Sequence, residues 1–159
     1  MISVTFITVG SLKESYLREA AAEYEKRLSA FCRFDSVNLK EHKLPENPSE
    51  GEIRAALAEE GARILAAIPP RAYPVALCVE GKQFSSPALA RQLELAAENG
   101  GSLCFIIGSS HGLAPEVKAA ARLRLSVSEL TFPHQLMRVL LLEVLYRSFS
   151  IQHGTRYHK

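Results

Sequence analysis

The chain has 159 residues, 47% hydrophobic and 23% charged, which allows one domain with a substantial core and excludes a disordered chain. The formal net charge of +2 conceals an asymmetry: from Lys118 to Lys159 there are seven Lys/Arg and two Glu, net +5, whereas the preceding residues carry twelve basic and fifteen acidic side chains, net −3. A basic end on a nearly neutral chain suits an acidic partner and locates the chemistry towards the C-terminus.

Ile2–Val9 has no basic leader and alternates with Ser and Thr, so it is a predicted strand, not a secretory signal. Gly10 and Ser11 open a helix with Leu17, Ala20, Ala21, Tyr24 and Leu28 on one face. Phe34–Leu39 is a second strand. After Pro45 and Pro48, Ser49-Glu50-Gly51-Glu52 has the form of a capping box. The helix it starts turns Ile53, Leu57, Ile64, Leu65 and Ile68 inward and stops at Pro69-Pro70.

Val75–Val79 and Leu103–Ile107 are short continuous apolar runs, as expected of strands covered on both faces of a parallel sheet. Between them Ser85 or Ser86 caps a helix that ends at Asn99-Gly100-Gly101. Gly108–Gly112 is a turn into a short helix near Pro115, and Leu123–Val127 is a fifth strand. Thr131 is the expected cap of the last helix, about His134 to Gln152. That helix is apolar nearly all round, more than one small sheet can bury, so part of its surface is expected at a subunit interface. Arg138, Glu143 and Arg147 interrupt it, so it is not a membrane span. The repeated β-α units imply a single α/β domain over residues 1–159, a mostly parallel sheet with helices on both faces. Cys32, Cys78 and Cys104 are odd in number and far apart, without zinc spacing, and suit core thiols of a cytoplasmic protein.

Gly108-Ser109-Ser110-His111-Gly112 follows a buried strand and precedes a helix. It matches the G-x-S-x-G pattern of serine hydrolases. Against that reading, the only Asp is Asp35, upstream of Ser110, and no Gly-rich oxyanion segment is present. The remaining readings are a turn that glycine geometry alone requires and a backbone cradle for a nucleotide-like ligand at strand ends. His134, in the first turn of the last helix, is expected neutral. The tail His153-Gly154-Thr155-Arg156-Tyr157-His158-Lys159 is too polar to fold alone, yet Arg, Tyr, His and Lys together supply the phosphate contacts and stacking ring that RNA binding uses.

Taken together, Ile107-Gly108 with Gly112-Leu113, Ser128-x-x-Thr131-Phe132-Pro133-His134-Gln135, Arg138, Glu143, Tyr146-Arg147 and Tyr157-His158-Lys159 resemble the ribosomal RNA large-subunit methyltransferase H family. These are small pseudouridine N3-methyltransferases of the SPOUT class. The resemblance runs the full length, including Val9-Gly10 and Glu23-Tyr24-x-Lys26-Arg27-Leu28. It implies an α/β fold whose C-terminal part is threaded as a trefoil knot, and a homodimer that uses S-adenosyl-L-methionine to methylate N3 of a pseudouridine in 23S rRNA on assembled ribosomes. A ribosome-associated RNA-binding protein without catalysis is the alternative of the same fold. The resemblance implies cofactor contacts at Leu77, Gly108, Val127, Ser128, Glu129, Leu130, Thr131 and Phe132. Tyr157 and His158 are implied beside the base, with His134 and Arg138 orienting the cofactor loop or substrate and Arg156 and Lys159 on RNA phosphates; no metal is implied. One departure is local. Where the family commonly has Gly-Gly after the Ile, Ser109 follows Gly108, and His111 stands at a position that is often Asn or Pro.

Overall fold

The computed structural model describes residues Met1–Lys159. Ten elements alternate: β1 (Ile2–Val9), α1 (Ser15–Leu28), β2 (Cys32–Leu39), α2 (Glu50–Ala67), β3 (Tyr73–Lys82), α3 (Ser86–Gly100), β4 (Ser102–Ile107), α4 (Pro115–Ala120), β5 (Leu123–Leu125) and α5 (His134–Gln152). The strands form one sheet in the order β2-β1-β4-β3-β5, and every neighbouring pair is parallel.

The period-2 alternation of the strands sorts their side chains into two cores. Val4, Phe6, Leu103, Phe105 and Ile107 join Leu28, Leu93, Leu141, Leu145 and Phe149 under α1, α3 and α5. On the opposite face Ile7, Val9, Cys104 and Ile106 join Ile64, Leu113, Ala114 and Val117 under α2 and α4. Both faces are covered, which is why β4 is apolar at five consecutive positions.

Local chemistry accounts for most element ends. Ser49 accepts from the Glu52 N–H at 3.1 Å while the Glu52 carboxylate accepts from the Ser49 N–H at 3.3 Å, the expected capping box. Ser85 caps α3 through the Ala88 N–H, with Pro87 in the first turn. Several element ends and one cap differ from the sequence expectation; β2 begins at Cys32 instead of Phe34 and β3 at Tyr73 instead of Val75. Helix α1 begins at Ser15, with Glu14 as its cap, because Gly10 to Lys13 is held as a loop by side chains. Strand β3 continues to Lys82 through a register shift against Leu125, so Gly81 lies against Arg124, where a Cβ would stand 2.7 Å from the Arg124 carbonyl oxygen. Strand β5 stops at Leu125, because Ser126 and Ser128 bond within their own turn. Helix α5 has Pro133 as its cap and no side-chain cap bond; Thr131 is exposed and does not cap it.

One burial expectation is also corrected. On α2 the buried positions are Ala56, Glu60, Gly61 and Ile64, while Leu65 is 37% exposed. The close approach of Gly61 to Ala114 on the α4 side sets that face. Helix α5 is flanked by α1 and α3, so Leu141, Leu142, Leu145 and Phe149 are buried, while Val139, Val144 and Tyr146 are half-buried and Leu136 is exposed. No helix is long and apolar enough to cross a membrane.

Candidate active site

A cavity of about 530 Å³ opens at the C-terminal ends of β3 and β4, where backbone groups no longer needed by the sheet face outward. Three chain segments wall it. The end of β3 supplies Leu77, Cys78 and Val79. The turn after β4 supplies Gly108 to Ser110 and Gly112. The loop between β5 and α5 supplies Ser126 to Ser128, Leu130 to Phe132 and, continuing into the helix, His134 and Met137.

The turn after β4 is closed by the Gly112 N–H donating to the Ser109 carbonyl at 2.9 Å. Its tightness explains Gly108: a Cβ there would stand 2.1 Å from the Gly112 carbonyl oxygen, so only glycine fits without moving the turn. The β5–α5 loop is shaped from inside. The Ser126 hydroxyl donates to the Ser128 carbonyl at 3.1 Å, and the Ser128 side chain accepts from the Leu130 N–H at 3.0 Å. Leu130 is 70% exposed at the mouth, an apolar side chain held in water.

The structure therefore brings Leu77, Gly108, Val127, Ser128, Leu130, Thr131, Phe132 and His134 together. Glu129 is exposed and outside the lining, so the cavity wall carries no carboxylate. Cys78, Ile107, Ser126 and Met137 line it without having been expected as cofactor contacts. Met137 had a usable signal, lying three residues after His134 and hence on the same side of α5. Burial holds the His134 imidazole below the ordinary histidine range, opposed by the charge of Glu41. Burial also raises the Cys78 thiol. No group of three or more His, Cys, Asp or Glu is arranged to hold a metal ion.

Arg138 is placed elsewhere. It is 4% exposed and donates to the Val9 carbonyl at 2.7 Å and the Gly10 carbonyl at 2.5 Å, tying the end of β1 to α5. With Gln135 accepting from the Lys13 N–H at 3.1 Å, it sets where α5 starts, and hence where the cavity loop ends.

The tail is also away from the cavity of its own chain. Tyr157 donates to Glu143 Oε2 at 2.7 Å, its ring packs edge-on against Tyr146 at 4.7 Å, and the Arg147 guanidinium lies over it at 4.8 Å. Arg147 also donates to Glu143 Oε1 at 2.9 and 2.6 Å and lies 3.4 Å from His158 Nδ1. The Glu143 hydrogen bond, with burial, raises the Tyr157 phenol well above its ordinary range. Glu143 is nine residues beyond His134, about 14 Å along the helix. Tyr157 and His158 thus sit against the outer part of α5, and none of Arg156, Tyr157, His158 and Lys159 lines the cavity.

Ser110 lines the cavity and lies 3.4 Å from His111 Nδ1, but no carboxylate pairs with His111 to complete a hydrolase triad, the nearby Glu60 being bonded to Ser109 and the His42 N–H. A parallel sheet with an apolar, loop-walled cavity at its strand ends is the architecture on which many α/β enzymes place small-molecule sites. The model of the family described as "Predicted SPOUT methyltransferase" matches residues 2–158, and the chain belongs to the SPOUT methyltransferase family.

Its similar relatives are more specific. A protein of Streptococcus thermophilus named "Ribosomal RNA large subunit methyltransferase H" is 52% identical over 159 residues, 99% of this chain and 100% of the relative. A protein of the same name from Leuconostoc mesenteroides is 50% identical, with the same coverage. Among solved structures, a probable methylase family protein from Haemophilus influenzae superposes with a TM-score of 0.60 at 13% identity, covering 100% of this chain and 72% of that one. That likeness shows the fold alone.

Proposed function

We propose that this protein is an S-adenosyl-L-methionine-dependent methyltransferase that methylates N3 of a pseudouridine in 23S rRNA, as a homodimer in the cytoplasm on assembled ribosomes. The observation that carries the reading is the three-walled cavity in a chain that matches large-subunit rRNA methyltransferases from end to end. Its volume and apolar walls fit a nucleoside-sized cofactor, with Leu77 and Gly108 offering backbone groups at strand ends and Val127 to Phe132 closing over it. When bound, S-adenosylmethionine supplies an electrophilic methyl group.

What the chain's own residues do follows from their placement. The cavity wall offers only His134 and a raised Cys78 thiol as titratable groups, so it binds and orients but is poor in acid–base chemistry. The proton on N3 and the developing charge on the base carbonyls need groups from elsewhere. The tail supplies them in this reading. Tyr157, with its raised phenol, acts as a neutral hydrogen-bond donor and not as a base. His158 is the candidate proton acceptor, and Arg156 and Lys159 contact phosphates. The distance of the tail from its own cavity favours a composite site, with one subunit's tail serving the other's cavity. The half-exposed apolar strip of α5 supports the dimer. The trefoil threading belongs to the same reading. Strand β5 lies at the sheet edge beside β3, yet α5 packs across against α1, so residues 126–133 cross the strand ends past the 108–112 turn.

Transfer of tritiated methyl to ribosomes lacking the modification, followed by nucleoside mapping, tests the proposal. Label on N3-methylpseudouridine is expected. Cofactor and ribosome binding without transfer would instead support the non-catalytic RNA-binding reading. His158→Ala and Tyr157→Phe are each expected to slow single-turnover methylation, and unchanged rates in both would remove the tail from the chemistry.

A further inference from the structure

Glu60 is the one acidic side chain in the buried set, 4% exposed on the inner face of α2. A carboxylate taken out of water is costly unless its oxygens are satisfied. No lysine, arginine or histidine forms an ion pair with it; the recorded ion pairs all involve other acids. Both oxygens are instead occupied by neutral donors from two different loops. Oε1 accepts from the Ser109 hydroxyl at 3.0 Å, and Oε2 accepts from the His42 backbone N–H at 2.9 Å. Ser109 is itself 6% exposed and belongs to the turn that walls the cavity.

From these contacts we infer that Glu60 is a positioning residue for the cavity, fixing the 108–112 turn through Ser109 while bracing it against the β2–α2 loop through His42. The inference rests on the cofactor reading of that cavity. Ser109 carries a side chain where the related pattern has a second glycine, and its hydroxyl adds a tether from the turn to α2. The tether is anchored on a rigid support, because Gly61, next to Glu60, packs directly against Ala114 at the exit of the same turn. Its other end bears on the cavity as well. Glu41, adjacent to His42, faces Gly10, and its charge acts on both His134 and Arg138. Glu60 thus holds the 108–112 wall directly and supports the loop that faces the His134 side.

Isothermal titration of the full-length protein with S-adenosylhomocysteine tests the role through a double-mutant cycle, alongside thermal melting. Ser109→Ala and Glu60→Leu are each expected to weaken binding by about tenfold, the scale of one hydrogen bond to a charged group. The double variant is expected to bind no more weakly than Glu60→Leu alone, because both changes cut the same tether. If Glu60→Leu does not fold, Glu60→Gln, with a single acceptor oxygen, replaces it in the cycle. An unchanged dissociation constant in Ser109→Ala, with or without a lower melting temperature, would overturn the positioning role, as would additive effects in the cycle. Failure of the wild-type protein to bind S-adenosylhomocysteine would instead defeat the cofactor reading, and the positioning role with it.

Discussion

Gly108 and His134 show how single positions in the cavity wall are constrained. A methyl group added at Gly108 meets a backbone carbonyl of its own turn, which cannot yield as a flexible side chain would. Gly108→Ala is therefore expected to distort the turn at a cost of about 1–3 kcal/mol and to weaken S-adenosylhomocysteine binding by about tenfold to a hundredfold, read by calorimetry. His134 gives a pH dependence whose sign follows from its burial. Its folded pKa lies below the reference 6.5, so the unfolded chain binds the proton more readily. The stability contributed by the neutral imidazole is present above that value and is lost as pH falls through the lowered one. Urea denaturation at pH 5 and pH 8 should show a smaller acid loss in His134→Asn than in the wild type. The buried thiols belong to a different class: burial pushes Cys32 up to about 11 and Cys104 up to about 12, so both stay neutral core groups.

The helices carry their instructions at their ends and along their inner faces. The Ser49 hydroxyl supplies one half of the α2 capping box and the Glu52 carboxylate the other, so Ser49→Ala should lower stability by about 1 kcal/mol, measured as a shift in the chemical denaturation midpoint. Helix α5 depends on packing instead, since no side chain caps its first turn. Leu145, fully buried between the sheet and its neighbours, should cost about 2–5 kcal/mol as Leu145→Ala by the same measurement. These elements were largely legible in advance, because capping chemistry and apolar runs are local signals. The readings that failed were those in which a neighbour decides. Leu65 faces solvent because Gly61 and Ile64 are the positions that meet α4 and the sheet, and α1 starts late because Arg18, Arg138 and Gln135 hold the preceding loop.

For the whole molecule, the separation between cavity and tail is the feature that matters. The basic excess of the sequence is spread over α4, β5, α5 and the tail, with Arg147, Arg156 and Lys159 at the end of α5 and beyond it, while the cavity lies at the other end of that helix. If two subunits complete each other's sites, a tail-deleted protein and the Gly108→Ala protein should regain methyl transfer when mixed, at a cofactor concentration too low to fill the weakened Gly108→Ala cavity. Ribosome methylation by the mixture is the measurement, and absence of any recovery would indicate a self-contained site. Basic groups clustered on this face also imply that ribosome affinity falls as salt rises.

By itself the sequence determined the α/β class, the strand and helix order, the glycine turn after β4 and the presence of a loop before α5. Each of these is written in side chains close together along the chain. Tertiary structure decided which of those residues share a cavity, and it excluded Glu129 while admitting Met137 and Cys78. It showed Arg138 as a buried clamp joining the end of β1 to α5, placed the tail on Glu143, and gave Glu60 its partner Ser109. Ser109 and Glu60 are 49 positions apart, and Arg138 and Val9 129 apart. Contacts at such separations arise only when the sheet brings distant strand ends together, and spacing in the chain carries no trace of them.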